Sequence, residues 1–395
     1  MLVIAESEAR EKILAQVGRV PSRSVPLRDA LNCFAAKDDL ARIPLPGFDN
    51  SAMDGYAVVA KSCGPGKRLR VIGEQPAGVD RQLRVSAGEA ARIFTGAPIP
   101  AGADAIVMQE DVKREGEEVT INEDVDPGAY IRRRGCDLSE GQRIVAAGER
   151  IRSVTVGLLA SQGFADVEVG GEVRAAIVST GDELVTPGAS LQPGQIYDSN
   201  SALVTALVQR SGAVLKSGEH CSDDPASLRE AVARAARNHV VIISGGVSVG
   251  EHDFVQSVLR DLGSKIDIWR VAIKPGKPFL FGRLGAALVF GLPGNPVSAF
   301  VTFARFVRPA LLKMMGASDA GLDLRKVPAK LMVDLRNDGD RVHYVRGKFE
   351  KGEFSPVGRQ ESHALFGLSQ SNALLALPIG AQFEKESVVD VEIWD

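Results

Sequence analysis

Two adjacent glycines directly after an apolar run mark the first candidate binding loop, Ser244-Gly245-Gly246-Val247-Ser248. Because glycine has no Cβ, backbone amides there can approach a ligand that a side chain would obstruct. The glycines could equally serve only to turn the chain. A further glycine, Gly250, and the acidic residues after it favour a binding loop. We therefore predict that Gly245, Gly246 and Ser248 contact a phosphate-bearing small molecule.

Two lysines occur in a second loop, Lys274-Pro275-Gly276-Lys277-Pro278. Proline restricts φ, so the intervening Pro-Gly pair limits the positions that the two ammonium groups can take. Ammonium groups held close together repel each other unless an anion lies between them. Isolated surface lysines are the commoner case in proteins, but the flanking prolines favour a phosphate clamp. We predict that Lys274 and Lys277 form it.

A third loop, Gly291-Leu292-Pro293-Gly294-Asn295-Pro296, leads into the longest predicted helix. Asn295 is a good N-cap, and Pro296 suits the first helical position. Capping does not explain Gly291 and Gly294, which are expected to leave the helix end open to an anion. The residues predicted to contact the ligand in this loop are Pro293, Gly294, Asn295 and Pro296.

Acidic residues crowd these loops and a fourth one, Ser179–Leu184. Carboxylates beside a phosphate are unfavourable unless a cation bridges them, and Mg²⁺ is the usual cation with hard oxygen ligands. Surface charge and helix capping are the alternative, and they account well for Asp223-Asp224-Pro225. His252 is more simply an exposed loop residue than a general base. The acidic residues in question are Asp182, Glu183, Asp198, Asp223, Asp224, Glu251 and Asp253.

Several common catalytic and nucleotide-binding motifs do not occur in the sequence. No G-x-x-x-x-G-K-[ST] is present, and no G-x-G-x-x-G follows a predicted strand. The absence of G-x-S-x-G leaves an α/β-hydrolase serine unsupported. The loops therefore predict phosphate binding without indicating a reaction.

These loops need a scaffold, and strand, turn and helix patterns alternate from Val173 to Gly316. Such alternation predicts parallel strands joined by right-handed crossovers, with ligands outside the carboxyl ends of the strands. The predicted strands are Arg174–Ser179, Ala213–Glu219, Val240–Ser244, Ile266–Val271 and Ala287–Gly291. The predicted helices are Ser201–Ser211, Pro225–Asn238, Phe254–Leu262 and Pro296–Met315.

The rest of the chain divides into segments with different secondary-structure patterns. Helical patterns occur from Glu6 to Val17, from Leu27 to Ala36 and from Ser153 to Gly163, and short apolar runs between turns predict a β-rich segment after Pro44. Further strand patterns follow Gly316: Ala329–Leu335, Val342–Phe349, Ala373–Leu377 and Val388–Ile393. We predict a discontinuous helical domain (1–43 and 135–172), an inserted β-rich domain (44–134), an α/β domain (173–316) and a C-terminal β-barrel-like domain (324–395).

Composition excludes several classes of protein. Forty-seven basic and 50 acidic residues give a net charge of −3, which argues against a general nucleic-acid binder. The four cysteines form no Cys-x-x-Cys pair, so neither structural zinc nor a disulfide framework is expected. No signal peptide or membrane-spanning run is apparent. These features predict a cytoplasmic protein that does not bind membranes.

Together with four further blocks, the loops resemble the molybdopterin molybdenumtransferase family, which includes MoeA and the gephyrin E-domain. The resemblance spans nearly the whole chain, in the family's order, and several blocks exceed eight residues. The further blocks are Pro46–Val58 (with Met53-Asp54-Gly55-Tyr56), Thr95–Ala105 (with Thr95-Gly96-Ala97-Pro98), and Tyr197-Asp198-Ser199-Asn200 with Ser362-His363.

The resemblance implies an enzyme that acts on adenylylated molybdopterin and molybdate. It implies Mg²⁺-dependent cleavage of the adenylyl phosphoanhydride, insertion of molybdenum and release of AMP, in a homodimer with its site at the subunit interface. The implied catalytic residues are Asp54, Thr95, Glu183, Asp223 and Asp253, of which Asp54, Glu183 and Asp253 would hold the metal. The implied anion ligands are Lys274, Lys277, Arg346 and Ser362.

The sequence leaves three questions open. Asp-Gly and Thr-Gly are common turn dipeptides, so Asp54 and Thr95 could be structural. Arg270 stands where some relatives carry lysine, and its contact with a ligand is undecided. The alternatives to the transferase are a molybdopterin-binding scaffold or carrier without turnover, and a molybdopterin adenylyltransferase acting one step earlier.

Overall fold

The computed structural model describes residues 3–247 and 254–394. The chain forms two compact units. The first consists of Met1–Lys37, Ala146–Val156 and Ala165–Asp395, and the second of Asp38–Val145 and Gly157–Phe164. The division into four domains predicted above remains a prediction.

A six-stranded sheet forms the centre of the first unit. Its four strands on one side are mutually parallel. Lys265–Arg270 pairs antiparallel with Pro278–Leu284, which pairs antiparallel with Ala287–Leu292. All five predicted strands thus run in one direction, and the antiparallel strand is one that the sequence patterns missed. The order across the sheet is Val214–Cys221, Arg174–Thr180, Val240–Ser244, Ala287–Leu292, Pro278–Leu284 and Lys265–Arg270.

Helices cover both faces of this sheet, which confirms the doubly wound α/β fold class. Side chains alternate along the strand Arg174–Thr180: Ala175 and Ile177 belong to one buried cluster, and Ala176 and Val178 to the other. The strands are buried on both faces, so their sequences are apolar throughout. The first cluster includes residues of Ser199–Arg210 and of Pro296–Met314, and the second includes residues of Pro225–Ala235 and Val255–Asp261.

The longest helix contains a π-helical turn in its middle. It runs as Pro296–Thr302, then the π-turn Phe303–Val307, then Arg308–Met314. Pro309 has no amide hydrogen, so it cannot donate to the carbonyl oxygen four residues earlier. The amide of Arg308 donates to the carbonyl oxygen of Phe303, five residues earlier, which is the π-helical pattern. The turn carries Arg305, whose side chain is mostly shielded from solvent.

Five C-terminal strands close into a barrel, and a short strand from the α/β segment joins its wall. Ile273–Lys274 pairs in parallel with Val342–His343. This confirms the β-barrel-like C-terminal fold, with Glu353–Pro356 as a strand that the sequence patterns missed. The barrel order is Val342–Glu350, Glu353–Pro356, Arg325–Leu331, Val388–Ile393 and Ala373–Leu377, which returns to the first.

The predicted helix at Leu27–Ala36 is wrong. Only a 3₁₀ turn, Leu27–Asp29, forms there, and Asn32 has a positive φ of 67°, which a continuing helix does not allow. The first predicted helix is observed as Glu6–Gln16. The remaining short elements of this unit are strands Arg23–Pro26, Asp166–Val169, Leu184–Val185, Ile196–Tyr197, Leu335–Arg336 and Gln382–Phe383, the 3₁₀ turn Asp319–Gly321 and helix Leu365–Ser369.

The second unit is β-rich, as expected from the alternating apolar runs. Its six-stranded sheet has the order Ala105–Met108, Gly55–Val58, Glu89–Ile93, Arg68–Gln75, Glu118–Ile121 and Val112–Glu115. Short pairs are Asp39–Leu40 with Arg143–Val145 and Asn50–Ser51 with Ile131–Arg132, and the 3₁₀ turns are Ala60–Ser62 and Gln109–Asp111. The helix Ser153–Ser161 begins in the first unit and ends in the second. Within the described residues, no helix of the chain combines the length and apolar character needed to cross a membrane.

Candidate anion-binding cleft

A cleft of about 640 Å³ lies beyond the carboxyl ends of the central strands, within the first unit. An adjoining recess of about 350 Å³ shares several of its residues and is lined also by Pro296. The cleft brings together most of the predicted residues of this unit: Glu183, Asp223, Gly245, Gly246, Lys274, Lys277, Pro293, Gly294, Asn295 and Ser362. Loops far apart in the sequence therefore converge here as predicted.

The two glycines of the first loop are required by the backbone. Gly245 has a φ of 92°, and a Cβ there would lie 2.5 Å from the carbonyl oxygen of Thr180. No other residue type fits this position without moving the neighbouring strand. The turn and the binding interpretations both need these glycines, so ligand contact at Gly245 and Gly246 stays a prediction.

The loop with the two lysines is closed at its base. The amide of Val271 donates to the carbonyl of Lys277 (3.1 Å), while Lys274 lies in the barrel strand Ile273–Lys274. Both lysines line the cleft, Lys274 with an exposed side chain. A cationic wall of this kind attracts a phosphate or another oxyanion.

Thr180 fixes the carboxylate of Asp223. Its hydroxyl donates to Asp223 Oδ1 at 2.5 Å, and the amide of Asp223 donates to Asp182 Oδ1 at 3.0 Å. Asp182 thus holds the loop, while Asp223 and the exposed Glu183 face the cleft. Asp224 is the N-cap of the helix Pro225–Ala235, as the capping alternative predicted. Asp198 is the N-cap of the helix Ser199–Arg210.

The expectation of an open helix end after Asn295 is wrong in one respect. The amide of Val297 donates to the carbonyl of Ser362 (3.0 Å), so an element of the C-terminal segment already satisfies it. Asn295 occupies the N-cap position, but its side chain makes no capping bond and donates to Ser362 Oγ at 2.9 Å. Gly291 is explained by packing, since a Cβ would lie 2.6 Å from Val247 Cγ1.

Arg346 does not line the cleft. Its side chain is 1% exposed and donates to the carbonyl of Arg359, while its backbone exchanges hydrogen bonds with the side chain of Gln360 (3.1 and 3.0 Å). It therefore supports the loop that carries Gln360 and Ser362 into the cleft. A direct contact between Arg346 and an anion stays a prediction.

Several cleft residues were missed from the sequence. They are Thr180, Ser298, Arg341, Gln360 and Glu361. Ser298 lies inside a helix and Thr180 at the end of a strand, and the others belong to loops in which polar residues are ordinary. Arg270, which was left undecided, is absent from the lining of the described residues.

The remaining predicted site residues lie elsewhere. Ser248 and Asp253 fall outside the described residues. Asp54 and Thr95 belong to the second unit, where the amide and the hydroxyl of Thr95 both donate to Asp54 Oδ1 at 2.7 Å. These two bonds hold the pKa of Asp54 below its ordinary value, so the group is an anion at neutral pH.

His343 was also missed, and it lies behind the cleft next to Lys274. It is the partner of Lys274 in the parallel strand pair, and its Nε2 is buried without a hydrogen-bond partner among the described residues. Burial lowers the pKa of His343 to about 4, and the positive charges of Lys274 and Arg346 add to the effect. The imidazole is therefore neutral at the back of the cationic wall.

Acidification should destabilise the protein through His343. The unfolded chain takes up a proton as pH falls through about 6.5, whereas folded His343 stays neutral down to about pH 4. The free energy of unfolding should thus decrease between these two values, with unfolding favoured at the lower pH. Urea unfolding of the wild type and of His343→Gln across this range checks it, and the variant should show a weaker pH dependence. Identical slopes in both proteins would contradict the assignment.

Three family models match consecutive parts of the chain. The MoeA N-terminal region (domain I and II) matches residues 4–163, the probable molybdopterin binding domain residues 176–313, and the MoeA C-terminal region (domain IV) residues 328–394. A molybdopterin molybdenumtransferase of Haemophilus influenzae is 39% identical over 382 residues, which cover 94% of this chain and 93% of the relative. The chain belongs to the molybdopterin molybdenumtransferase family.

Other relatives agree with this membership. A molybdopterin molybdenumtransferase 2 of Mycobacterium tuberculosis is 35% identical over 94% of both chains. The crystal structure of a molybdopterin biosynthesis MoeA protein from Pyrococcus horikoshii OT3 is 29% identical, covers both chains completely and superposes with a TM-score of 0.85. The family resemblance and the fold class predicted from the sequence are confirmed. The cleft lies in the segment that includes the match to the molybdopterin binding domain, with Gln360 and Ser362 added from the C-terminal match.

Proposed function

We propose that this molybdenumtransferase-family enzyme inserts molybdate into adenylylated molybdopterin and releases AMP, giving molybdenum-loaded molybdopterin. The observation that carries the proposal is one cleft that joins two lysines, two adjacent glycines and three carboxylates. The substrates are a phosphate-bearing pterin and an oxyanion, so cationic and anionic groups are both needed. No nucleophilic side chain is required, because molybdate or water can attack the phosphoanhydride.

In this proposal each group of residues has a separate role. Lys274 and Lys277 neutralise the phosphate and the incoming molybdate. The amides around Gly245 and Gly246 orient the phosphate. Ser362 and Asn295, joined by a 2.9 Å hydrogen bond, form a polar part of the cleft lining and limit how the anion can turn.

The carboxylates are suited to a magnesium ion. No group of three or more His, Cys, Asp or Glu in the described parts of the chain is arranged to hold a metal by itself. Mg²⁺ in phosphate-transfer sites is commonly held by one or two carboxylates together with substrate phosphates. Glu183 and Asp223 supply two hard oxygen donors in the cleft, and the bound ion would polarise the phosphoanhydride. The roles of Asp54, Asp253 and Thr95 are proposed from the family resemblance alone.

The decisive experiment incubates purified protein with adenylylated molybdopterin, Mg²⁺ and molybdate, and measures AMP. Release that requires both molybdate and Mg²⁺ supports the proposed reaction. Tight binding of the pterin without AMP release would favour the scaffold or carrier instead. Formation of adenylylated molybdopterin from molybdopterin and ATP would favour the adenylyltransferase. Substituting tungstate for molybdate in the same assay measures oxyanion preference.

We also propose a cytoplasmic homodimer with its site at the subunit interface. The homodimer and its interface site rest on the family resemblance, and the cytoplasmic location rests on the cysteine spacing. Analytical ultracentrifugation at assay concentrations measures the oligomeric state. A monomer with full activity would overturn the interface part of the proposal.

Loss of the Thr180 hydroxyl should slow the reaction without removing a charged group. Thr180→Val leaves Asp223 Oδ1 without its 2.5 Å donor in a half-buried position, so the carboxylate is no longer held in one orientation. We expect AMP release to fall roughly tenfold or more, the usual cost of losing a hydrogen bond to a charged group. Thr180→Ser keeps the hydroxyl and should retain most activity. Equal losses in both variants would indicate a packing effect.

A further inference from the structure

The loop of residues 357–364 carries Ser362 into the cleft without forming a helix or a strand. It begins directly after the barrel strand Glu353–Pro356. A side chain in an irregular segment keeps one position only if hydrogen bonds or packing hold that segment. The bonds of this loop therefore decide where the hydroxyl of Ser362 lies. Three consecutive residues of the loop line the cleft: Gln360, Glu361 and Ser362.

The side-chain amide of Gln360 bonds to the backbone of the barrel strand Val342–Glu350. Its Oε1 accepts a hydrogen bond from the amide of Arg346 (3.1 Å), and its Nε2 donates to the carbonyl oxygen of Arg346 (3.0 Å). Nε2 also donates to the carbonyl oxygen of Val357 (3.1 Å). Both amide hydrogens are thus engaged, so Gln360 keeps no donor for an anion although it lines the cleft.

The long helix holds the same loop at Ser362. The carbonyl oxygen of Ser362 accepts from the amide of Val297 (3.0 Å), which lies in the first helical turn and has no acceptor within the helix. The Oγ of Ser362 accepts from Asn295 Nδ2 (2.9 Å). Because Asn295 is the donor in that bond, the hydroxyl of Ser362 keeps its own hydrogen to donate to an oxygen of a ligand.

We propose that Gln360 is a positioning residue, whose bonds to the barrel strand hold Ser362 so that its hydroxyl donates to an oxygen of the bound oxyanion. The proposal rests on the function proposed above, since molybdate is the oxyanion of that reaction. Gln360 ties the loop to the barrel two residues before Ser362, and Val297 ties it to the long helix. A displacement of about 1 Å can cost a site roughly 100-fold in rate. Two anchors on different elements leave the hydroxyl little freedom of position.

Asn372 offers a matched control on the same barrel strand. Its Oδ1 accepts from the amide of Phe349 (2.7 Å), and its Nδ2 donates to the carbonyl oxygen of Phe349 (3.0 Å). The same pair of amide bonds thus forms at Phe349 as at Arg346. Neither Asn372 nor Phe349 belongs to the described lining of the cleft. Removing either amide should weaken the barrel to a similar extent, but only Gln360 should affect the oxyanion.

Kinetics in the AMP-release assay test the positioning role. Gln360→Met keeps the length of the side chain and removes its amide, and it should raise the KM for molybdate at least about tenfold. Asn372→Leu should leave this KM within about twofold of the wild type. Because Gln360 acts through Ser362, the double variant Gln360→Met with Ser362→Ala should have the same KM as Ser362→Ala alone, within about twofold.

Hydrogen exchange tests the anchoring without the reaction. In Gln360→Met the loop should loosen, so the amide of Val297 should lose its acceptor on Ser362 for part of the time. Exchange in a peptide of residues 293–302 should therefore become at least about tenfold faster, whereas Asn372→Leu should match the wild type there. If the wild type binds molybdate in calorimetry but releases no AMP, the proposed reaction fails. The dissociation constant for molybdate then replaces KM in the comparison of variants.

Four results would overturn the proposal. They are equal changes of KM in Gln360→Met and Asn372→Leu, a double variant with a KM well above that of Ser362→Ala, unchanged exchange of residues 293–302 in Gln360→Met, and a wild type that binds no molybdate. The second would mean that Gln360 acts independently of Ser362. Gln360→Asn keeps the amide but shortens its reach by one carbon, so it replaces Gln360→Met if that variant does not fold, with the same expected direction of change.

Discussion

Replacing both cleft lysines, as Lys274→Gln with Lys277→Gln, is expected to reduce AMP release by at least about 100-fold. Each charged hydrogen bond to a phosphate or molybdate oxygen contributes roughly 1.5–3 kcal/mol, and two are lost. The loss should appear mainly as a higher KM for molybdate and pterin if the lysines only bind the ground state. It should appear in kcat if they also stabilise the charge that develops on the transferring phosphate.

The lysine experiment needs a matched control for charge. Lys216 and Lys265 have exposed side chains in the same unit, and neither lines the cleft. Lys216→Gln with Lys265→Gln removes the same net charge and should keep activity within about twofold of the wild type. Comparable losses of activity in the two double variants would mean that the net charge of the protein, and not the position of the lysines, determines the effect. Thermal unfolding of both variants should match the wild type, because the cleft lysines are not in the core.

The second large effect concerns stability. Arg305 in the π-turn bonds Glu6 at 2.6 Å and Glu392 at 2.7 Å, and the hydroxyl of Tyr344 donates to Glu6 at 2.6 Å. The three charged side chains are only 14%, 12% and 6% exposed. Arg305→Met would leave two buried carboxylates without their cation, which costs about 3–5 kcal/mol. Denaturant unfolding should register this as a lower midpoint with an unchanged slope.

Two comparisons separate this explanation from simple loss of packing. The triple variant Glu6→Gln, Arg305→Met, Glu392→Gln removes all the charges, so it should be more stable than Arg305→Met alone. Arg234→Met breaks a solvent-screened ion pair with Glu219 and should lower the unfolding midpoint far less than Arg305→Met does. A triple variant less stable than the single one would show that the network itself is strongly stabilising.

The sequence predicted the α/β fold because its strands are buried on both faces and therefore continuously apolar. The strand Pro278–Leu284 was not predicted, because it begins with proline and contains glycine, both of which are rare in strands. Gly282 is there because a Cβ would lie 2.5 Å from the carbonyl oxygen of Lys265 on the neighbouring strand. That requirement comes from the partner strand, which local patterns cannot reveal.

The cleft was predictable where residues of one loop act together. Lys274 and Lys277, or Gly245 and Gly246, are neighbours in sequence, so their combined chemistry can be read directly. The bond from the Val297 amide to the carbonyl of Ser362 joins residues 65 positions apart and has no local signature. Arg346 shows the converse, since the family resemblance implies it as an anion ligand, whereas its burial in the barrel wall has no local signature in the sequence.

The short strand Ile273–Lys274 has a consequence for how the first unit unfolds. It follows the edge strand of the central sheet within three residues, and it is hydrogen-bonded into the barrel wall beside Val342 and His343. Melting the barrel would therefore release the backbone at Lys274, and loss of the central sheet's edge would unpair a barrel strand. The α/β segment and the barrel should behave as one cooperative folding block, and a ligand held by Lys274 would slow the opening of both.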